Sequence, residues 1–148
     1  MKNYVTGAVN ACRGVSRGLC RLLMARRGSF QTDIVTALVH VPASAPFLKR
    51  ADLLVVADCT AVAFPTLHRD LLKGKVVMMG CPKFDDVQDY TNRFADIFRT
   101  ADINSVTTVT MEVPCCSGLP IMVGKGMEAS NREIPMEEVV LSTKGKII

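Results

Sequence analysis

The 148-residue chain has no tryptophan, only two histidines, and six cysteines of which none forms a CxxC pair. It contains neither GxGxxG nor GxxxxGK[ST], so the glycine-rich signatures that cradle nucleotide phosphates are missing. No Ser–His–Asp order is legible. No apolar run approaches the roughly 20 residues needed to cross a bilayer; the longest, Leu53 to Phe64, is interrupted by Asp58. The early apolar stretch is broken by Arg13, Arg17 and Arg21 and does not read as a secretory signal. These absences predict a cytoplasmic protein with no membrane span.

Acid is missing from the first 32 residues, which hold Lys2, Arg13, Arg17, Arg21, Arg26 and Arg27. The remainder carries twelve basic and fourteen acidic residues, so the formal charge of +4 belongs to the N-terminal part. A basic tail beside a slightly acidic body does not indicate a nucleic-acid-binding fold. Arg13, Arg17 and Arg21 would share one face of a helix, but Gly14 and Gly18 each weaken that helix by roughly 1 kcal/mol relative to alanine. Residues 1–32 are therefore expected to be a partly ordered basic arm, and residues 33–148 a single domain. An Arg-rich, acid-free start also has the composition of an organelle transit peptide.

From Asp33 onward, apolar strand-like runs alternate with helical segments. Ile34 to Val41, Leu53 to Ala57, Lys75 to Met79, Ser105 to Thr110 and Val139 to Leu141 read as strands. Continuous apolar runs suit strands buried on both faces. Asp85 to Ala101 reads as the clearest helix, with Val87, Tyr90, Phe94, Ile97, Phe98 and Ala101 as its apolar stripe and Asp85 with Gln88 as a capping box. A short turn of helix is expected in Ala43 to Ala51 with Ser44 as N-cap. A short helix is expected over Thr66 to Leu72, and another over Leu119 to Ala129, capped by Ser117 and ended by Asn131. Strand then helix, repeated, predicts a three-layer α/β fold: a mostly parallel sheet of four to five strands with helices on both faces.

On a parallel sheet, ligands gather outside the carboxyl ends of the strands. Cys59 follows the second strand, Cys81 the third, and Cys115 and Cys116 the fourth. Four thiolates suffice for a zinc ion or an iron–sulfur cluster, and a non-secreted chain favours metal or redox chemistry over structural disulfides. Gly80 and Gly118, next to those cysteines, would let the backbone approach a cofactor. Adjacent side chains on an extended strand point to opposite faces, so Cys115 and Cys116 can face one centre only if Pro114 to Gly118 forms a turn. Otherwise one of them is replaced as a ligand by Asp58, His68 or an outside group. Each residue has a plainer reading too: single cysteines as packing residues, Asp58 as a turn cap, His68 as a surface residue beside Arg69 and Asp70, and His40 as a structural strand residue. Cys12 and Cys20 are given no metal role.

The wording Ala45-Pro46-Phe47-Leu48-Lys49-Arg50-Ala51-Asp52, Ala57-Asp58-Cys59-Thr60-Ala61, His68-Arg69-Asp70, Gly80-Cys81-Pro82-Lys83 and Met111-Glu112-Val113-Pro114-Cys115-Cys116 resembles the C-terminal region of ferredoxin-type (4Fe-4S) iron–sulfur proteins of anaerobic bacteria and archaea. The resemblance covers about residues 34–148. A looser likeness is to the small iron–sulfur subunit of hydrogenase and heterodisulfide-reductase complexes. In the resembled family a two-cluster ferredoxin module with CxxCxxCxxxCP runs precedes this region; residues 1–32 hold only Cys12 and Cys20 and no such run.

The resemblance implies an accessory iron–sulfur protein in anaerobic electron transfer. Cys59, Cys81, Cys115 and Cys116 would be the metal ligands, zinc a lesser possibility, and a separate ferredoxin or redox complex the partner. No catalytic turnover of its own is expected. The alternative is a metal-free α/β docking or small-ligand-binding domain, and a third reading is thiol redox chemistry between Cys115 and Cys116. The separate charge balance of the arm carries its own consequence: deleting residues 1–30 should leave the thermal midpoint nearly unchanged, whereas a large drop would show the arm to be part of the core.

Overall fold

The computed structural model describes residues 34–37 and 41–148. Five strands form one sheet in which every pairing is parallel: β1 (Ile34–Ala37), β2 (Asp52–Ala57), β3 (Val76–Gly80), β4 (Ser105–Met111) and β5 (Met136–Leu141), in the order β1-β3-β2-β4-β5. Among the described residues the helices are α1 (Asp58–Ala63), α2 (Leu67–Asp70), α3 (Val87–Thr100) and α4 (Gly118–Ser130), with 3₁₀ turns at Pro46–Leu48 and Pro114–Cys116. The parallel α/β architecture expected from the alternating runs is thus present.

The alternation along β2 explains the three layers. Leu53, Val55 and Ala57 pack with Tyr90, Phe94, Ile97 and Phe98 of α3 and with Leu119, Met122 and Val123 of α4. Leu54 and Val56 face the other way, against Phe64, Leu67 and Leu72 from the α1–α2 segment. A strand buried on both sides has no need of a polar face, hence the unbroken apolar run. Phe94 and Phe98 stack with centroids 5.8 Å apart, one turn apart on the buried stripe.

The central crossing positions the site. The chain leaves β2 through α1 and α2 on one face to reach β3. It leaves β3 through α3 on the opposite face, passes over β2, and enters β4. Loops after β2 and β4, which are adjacent strands, therefore diverge to opposite faces and leave a crevice at their carboxyl ends, where α/β sheets bind ligands.

Several local expectations are corrected. The short helix Asp58–Ala63 was not anticipated; the run Ala57 to Phe64 is apolar enough to read as strand, but α1 begins at once after Ala57. The N-cap of α3 is Asp86, whose carboxylate accepts from the amides of Gln88 (2.7 Å) and Asp89 (3.0 Å), leaving Asp85 free for another role. Val87 is exposed, at the edge of the stripe. Ser44 does not cap the first turn, which follows Ala45. Ser117 makes no cap bond to α4; its hydroxyl donates to the carbonyl of Pro114 at 2.7 Å. Asn131 does end α4, in the left-handed region at φ 53°, which asparagine tolerates. β5 starts three residues earlier than expected because Met136, Glu137 and Glu138 are exposed on this edge strand, which hides them from an apolar search. Residues 1–33, and His40 with its expected strand role, lie outside the described residues.

Two glycines of α4 give opposite expectations. At Gly126 a Cβ would lie 2.5 Å from the Cβ of Phe94 and 3.2 Å from the amide of Ala95, whereas at Gly124 nothing lies within 4 Å. Gly124→Ala should gain about 1 kcal/mol of unfolding free energy from helix propensity. Gly126→Ala should lose about 1–3 kcal/mol by forcing α3 and α4 apart. Denaturant unfolding of the two variants checks both.

Candidate functional site

The first thiol is placed by a threonine. The Thr60 side chain is fully buried; its hydroxyl donates to the carbonyl of Ala57 at 2.6 Å and lies 3.5 Å from the carbonyl of Val109 on β4. This ties the first turn of α1 to the neighbouring strand and carries Cys59, the second helical residue, to the crevice between β2 and β4. The Cys59 side chain is exposed.

The second element is the turn after β4. Pro114 opens a 3₁₀ turn, the amide of Cys116 donates to the carbonyl of Val113 at 3.0 Å, and the Ser117 hydroxyl closes on Pro114. The stem below is held by Glu112, whose amide donates to Leu141 (2.8 Å) and whose carboxylate accepts from the amide (2.7 Å) and hydroxyl (3.1 Å) of Thr143. The strand alternation is therefore broken where the two adjacent cysteines need it broken. Cys115 is exposed, and Cys116, 2 % exposed, packs into the core of the α3–α4 face. The Cys59 and Cys116 sulfurs lie 3.5 Å apart. Burial pushes the Cys116 thiol up; a backbone hydrogen bond at Met111 pulls the other way.

Cys81, half-buried, follows the adjacent strand β3. Its carbonyl accepts from the amides of Phe84 (3.1 Å) and Asp85 (3.0 Å), and its amide donates to the Asp85 carboxylate at 3.2 Å. The same carboxylate oxygen accepts the Tyr90 hydroxyl of α3. Burial, the Asp85 hydrogen bond and the Asp85 charge together push the Tyr90 phenol above its ordinary range. The Tyr90–Asp85 pair thus anchors the Cys81 turn to the best-packed helix. Gly80 is explained by the same contact: a Cβ there would collide with the Tyr90 ring and hydroxyl, so the backbone approach it permits is that of a phenol. Gly118 is less constrained, since a Cβ there would meet Pro82 at an ordinary 3.5 Å; it brings the start of α4 against the Cys81 loop.

Asp58 is the first residue of α1 and accepts no capping bond. Desolvation at the crevice, and then the charge of Asp85, push its carboxyl up. His68 is an exposed residue of α2 beside the Arg69–Asp70 ion pair at 2.7 Å, as the plainer reading had it. Among the described residues, no group of three or more His, Cys, Asp or Glu side chains is arranged closely enough to hold a metal ion as it stands. What converges is the Cys59–Cys116 pair, with Cys115 beside it and Cys81 one strand away. Asp85 and Tyr90 were missed as parts of the site. The doubled acid Asp85-Asp86 was the available signal, because only one of two neighbours can cap a helix.

Comparison with known proteins agrees with this architecture. The profile of a family described as a Rossmann-like domain matches residues 45–148. The chain belongs to the Rossmann-like domain family. An uncharacterized protein of Archaeoglobus fulgidus is 31% identical over 117 residues, covering 79% of this chain and 81% of its own length. No solved structure matches. Within the Rossmann-like frame, the turn after β2 would carry glycines if it held a dinucleotide pyrophosphate; here it is Ala57-Asp58-Cys59-Thr60, a carboxylate and a thiol. Among the described residues no helix is long and apolar enough to cross a membrane.

The raised Asp58 carboxyl has a definite sign. Between its ordinary value of 3.8 and the higher folded value, the folded chain binds more protons than the unfolded one, so stability from this group falls as pH rises through that window. Asp58→Asn should be more stable than the parent at neutral pH and equal to it once the acid is protonated in both states. Urea midpoints measured across the acid range check this; a parent that gains stability relative to Asp58→Asn as pH rises contradicts it.

Proposed function

We propose that this Rossmann-like domain is an accessory electron-transfer protein whose carboxyl-edge cysteines hold a thiolate-ligated iron–sulfur cluster. The observation that carries the reading is the 3.5 Å separation of the Cys59 and Cys116 sulfurs in the crevice between β2 and β4. Two thiolates on one tetrahedral metal, with bonds near 2.3 Å, lie about 3.8 Å apart. The pair therefore fits one iron of a small cluster, or one zinc ion, with Cys115 and Cys81, which follow strands of the same sheet edge, as the remaining candidates for the donor set. A bound cluster would supply one-electron redox chemistry. The chain's own part is to place and shield: Thr60 sets Cys59, the 3₁₀ turn sets Cys116, Asp85 and Tyr90 hold the Cys81 turn, and burial of Cys116 keeps water from one side. Because the raised Cys116 thiol must lose its proton to become a ligand, metal binding should weaken as pH falls.

In this reading the electrons come from a separate ferredoxin or larger redox complex. The six positive charges of the first 32 residues supply long-range attraction for an acidic carrier, which salt screens. The second reading, a metal-free docking or small-ligand domain, is favoured by one observation: Cys116 already packs as a core residue.

Anaerobic reconstitution with iron and sulfide separates the two. A brown protein retaining both, with Cys59→Ser and Cys116→Ser each losing most of the bound iron, supports the cluster. Reduction by soluble ferredoxin should then slow as ionic strength rises. A colourless wild-type protein that retains no iron overturns the cluster reading in favour of the metal-free domain.

A further inference from the structure

We infer that, in the metal-free chain, Cys59 and Cys116 form a dithiol–disulfide couple that exchanges electrons with low-molecular-weight disulfides. The sulfurs are 3.5 Å apart, so side-chain motion of about 1.5 Å would bring them to the ~2.05 Å of a disulfide bond. They lie 57 positions apart in sequence, on segments that leave adjacent strands toward opposite faces of the sheet. Local chain constraints therefore do not oppose the link.

The alternative partner for Cys116 is its neighbour Cys115. Consecutive Cα atoms are about 3.8 Å apart across a trans peptide, shorter than the roughly 4.4–6.8 Å usual for disulfides, and every described peptide bond is trans. Ring strain thus disfavours Cys115–Cys116, and Cys59 is the better-placed partner.

The two thiols differ in access, which orders the steps. Cys59 is exposed, and Cys116 is 2 % exposed. Of the pair, only Cys59 is open to an external disulfide RSSR. The Cys59 thiolate attacks one sulfur of RSSR, forming Cys59–S–SR and releasing RS⁻, which takes up the proton Cys59 gave to water. The deprotonated Cys116 sulfur then attacks the Cys59 sulfur, the protein disulfide forms, and the second RS⁻ leaves and is protonated. Two protein thiols and RSSR become one protein disulfide and two RSH: two electrons pass from the cysteine pair to RSSR. Cys59 is the attacking group, and Cys116, sheltered from the reagent, resolves the mixed disulfide.

This couple does not rest on the cluster reading, but it acts on the same sulfurs. Closing the disulfide would withdraw two of the four candidate donors from a metal, so the redox state of the pair would decide whether the site can be loaded.

The test uses the full chain, reduced, chelator-treated and then exposed to oxidised glutathione without air, followed by non-reducing peptide mapping with mass spectrometry. The wild-type chain should yield a cross-link between the Cys59 peptide and the Cys115–Cys116 peptide, and Cys115→Ser should yield the same link, assigning it to Cys116. Cys116→Ser should stall with glutathione on Cys59, and Cys59→Ser should lose the cross-link. Circular dichroism shows whether Cys116→Ser folds; if it does not, the wild-type, Cys115→Ser and Cys59→Ser maps still decide. A wild-type chain that stops at the Cys59 adduct, pairs Cys116 with Cys115, or keeps both thiols overturns the inference. Iron loading is measured separately on the reduced chain. A chain that loads iron but never cross-links loses only this inference; one that cross-links but holds no iron loses only the cluster reading.

Discussion

Parallel pairing of β2 with β4, from Asp52 opposite Ser105 to Val56 opposite Val109, is the constraint on which the site depends. These strands are adjacent in space although β3 lies between them in sequence. The strand that follows β2 lies on one side of the pair and the strand that follows β4 on the other, so the chain leaves them in opposite directions, and the gap between the departing loops is where Cys59 and Cys116 meet. A single buried hydroxyl, that of Thr60, bridges the two strands at this level. Its carbonyl partners are Ala57, the last residue of β2, and Val109, which stands opposite Val56 at the last β2–β4 pair, so the hydroxyl both meets an acceptor and fixes the start of α1.

A second, polar device supports the third strand end. Asp85 receives the Cys81 amide and the Tyr90 hydroxyl at one oxygen. A carboxylate held by two donors resists rotation, and Tyr90 is itself 1 % exposed in the α3 core. The turn carrying Cys81 is thereby coupled to hydrophobic packing, and Gly80 is the consequence, since only the absence of a Cβ leaves room for the phenol. The acidic rim formed by Asp58 and Asp85 is energetically less comfortable, as the raised Asp58 carboxyl records. Such charge would disfavour an anionic nucleotide and suits a cation or a neutral thiol chemistry better. In a Rossmann-like frame the fold supplies the crevice, and the residues at the strand ends decide its contents.

Much of the architecture was legible in the amino-acid pattern. Runs such as Leu53 to Ala57, apolar at every position, imply strands covered on both sides, and the stripe of Tyr90, Phe94, Ile97 and Phe98 implies a helix lying on a sheet. Placing the cysteines just after the runs was enough to locate them at the sheet's carboxyl edge. Less was legible where the local signal was ambiguous. Asp58 to Ala63 is apolar and short, so helix and strand cannot be separated by period alone. Asp85 and Asp86 both have capping chemistry, and local sequence does not say which one turns outward to the amide of Cys81.

The sequence by itself determined the α/β class, the presence of thiols beside the strand ends, and the need for a turn at Pro114 to Gly118 if adjacent cysteines were to share a site, because periodicity and backbone geometry are local properties. Which thiols meet was decided only by the tertiary structure. Strand order is a long-range choice: the position of β2 between β3 and β4 comes from burying Leu53 and Val55 under α3 and α4 while Leu54 and Val56 pack under Phe64 and Leu67. That packing, not any spacing in the chain, sets the Cys59 sulfur 3.5 Å from that of Cys116 and leaves Cys115 in solvent.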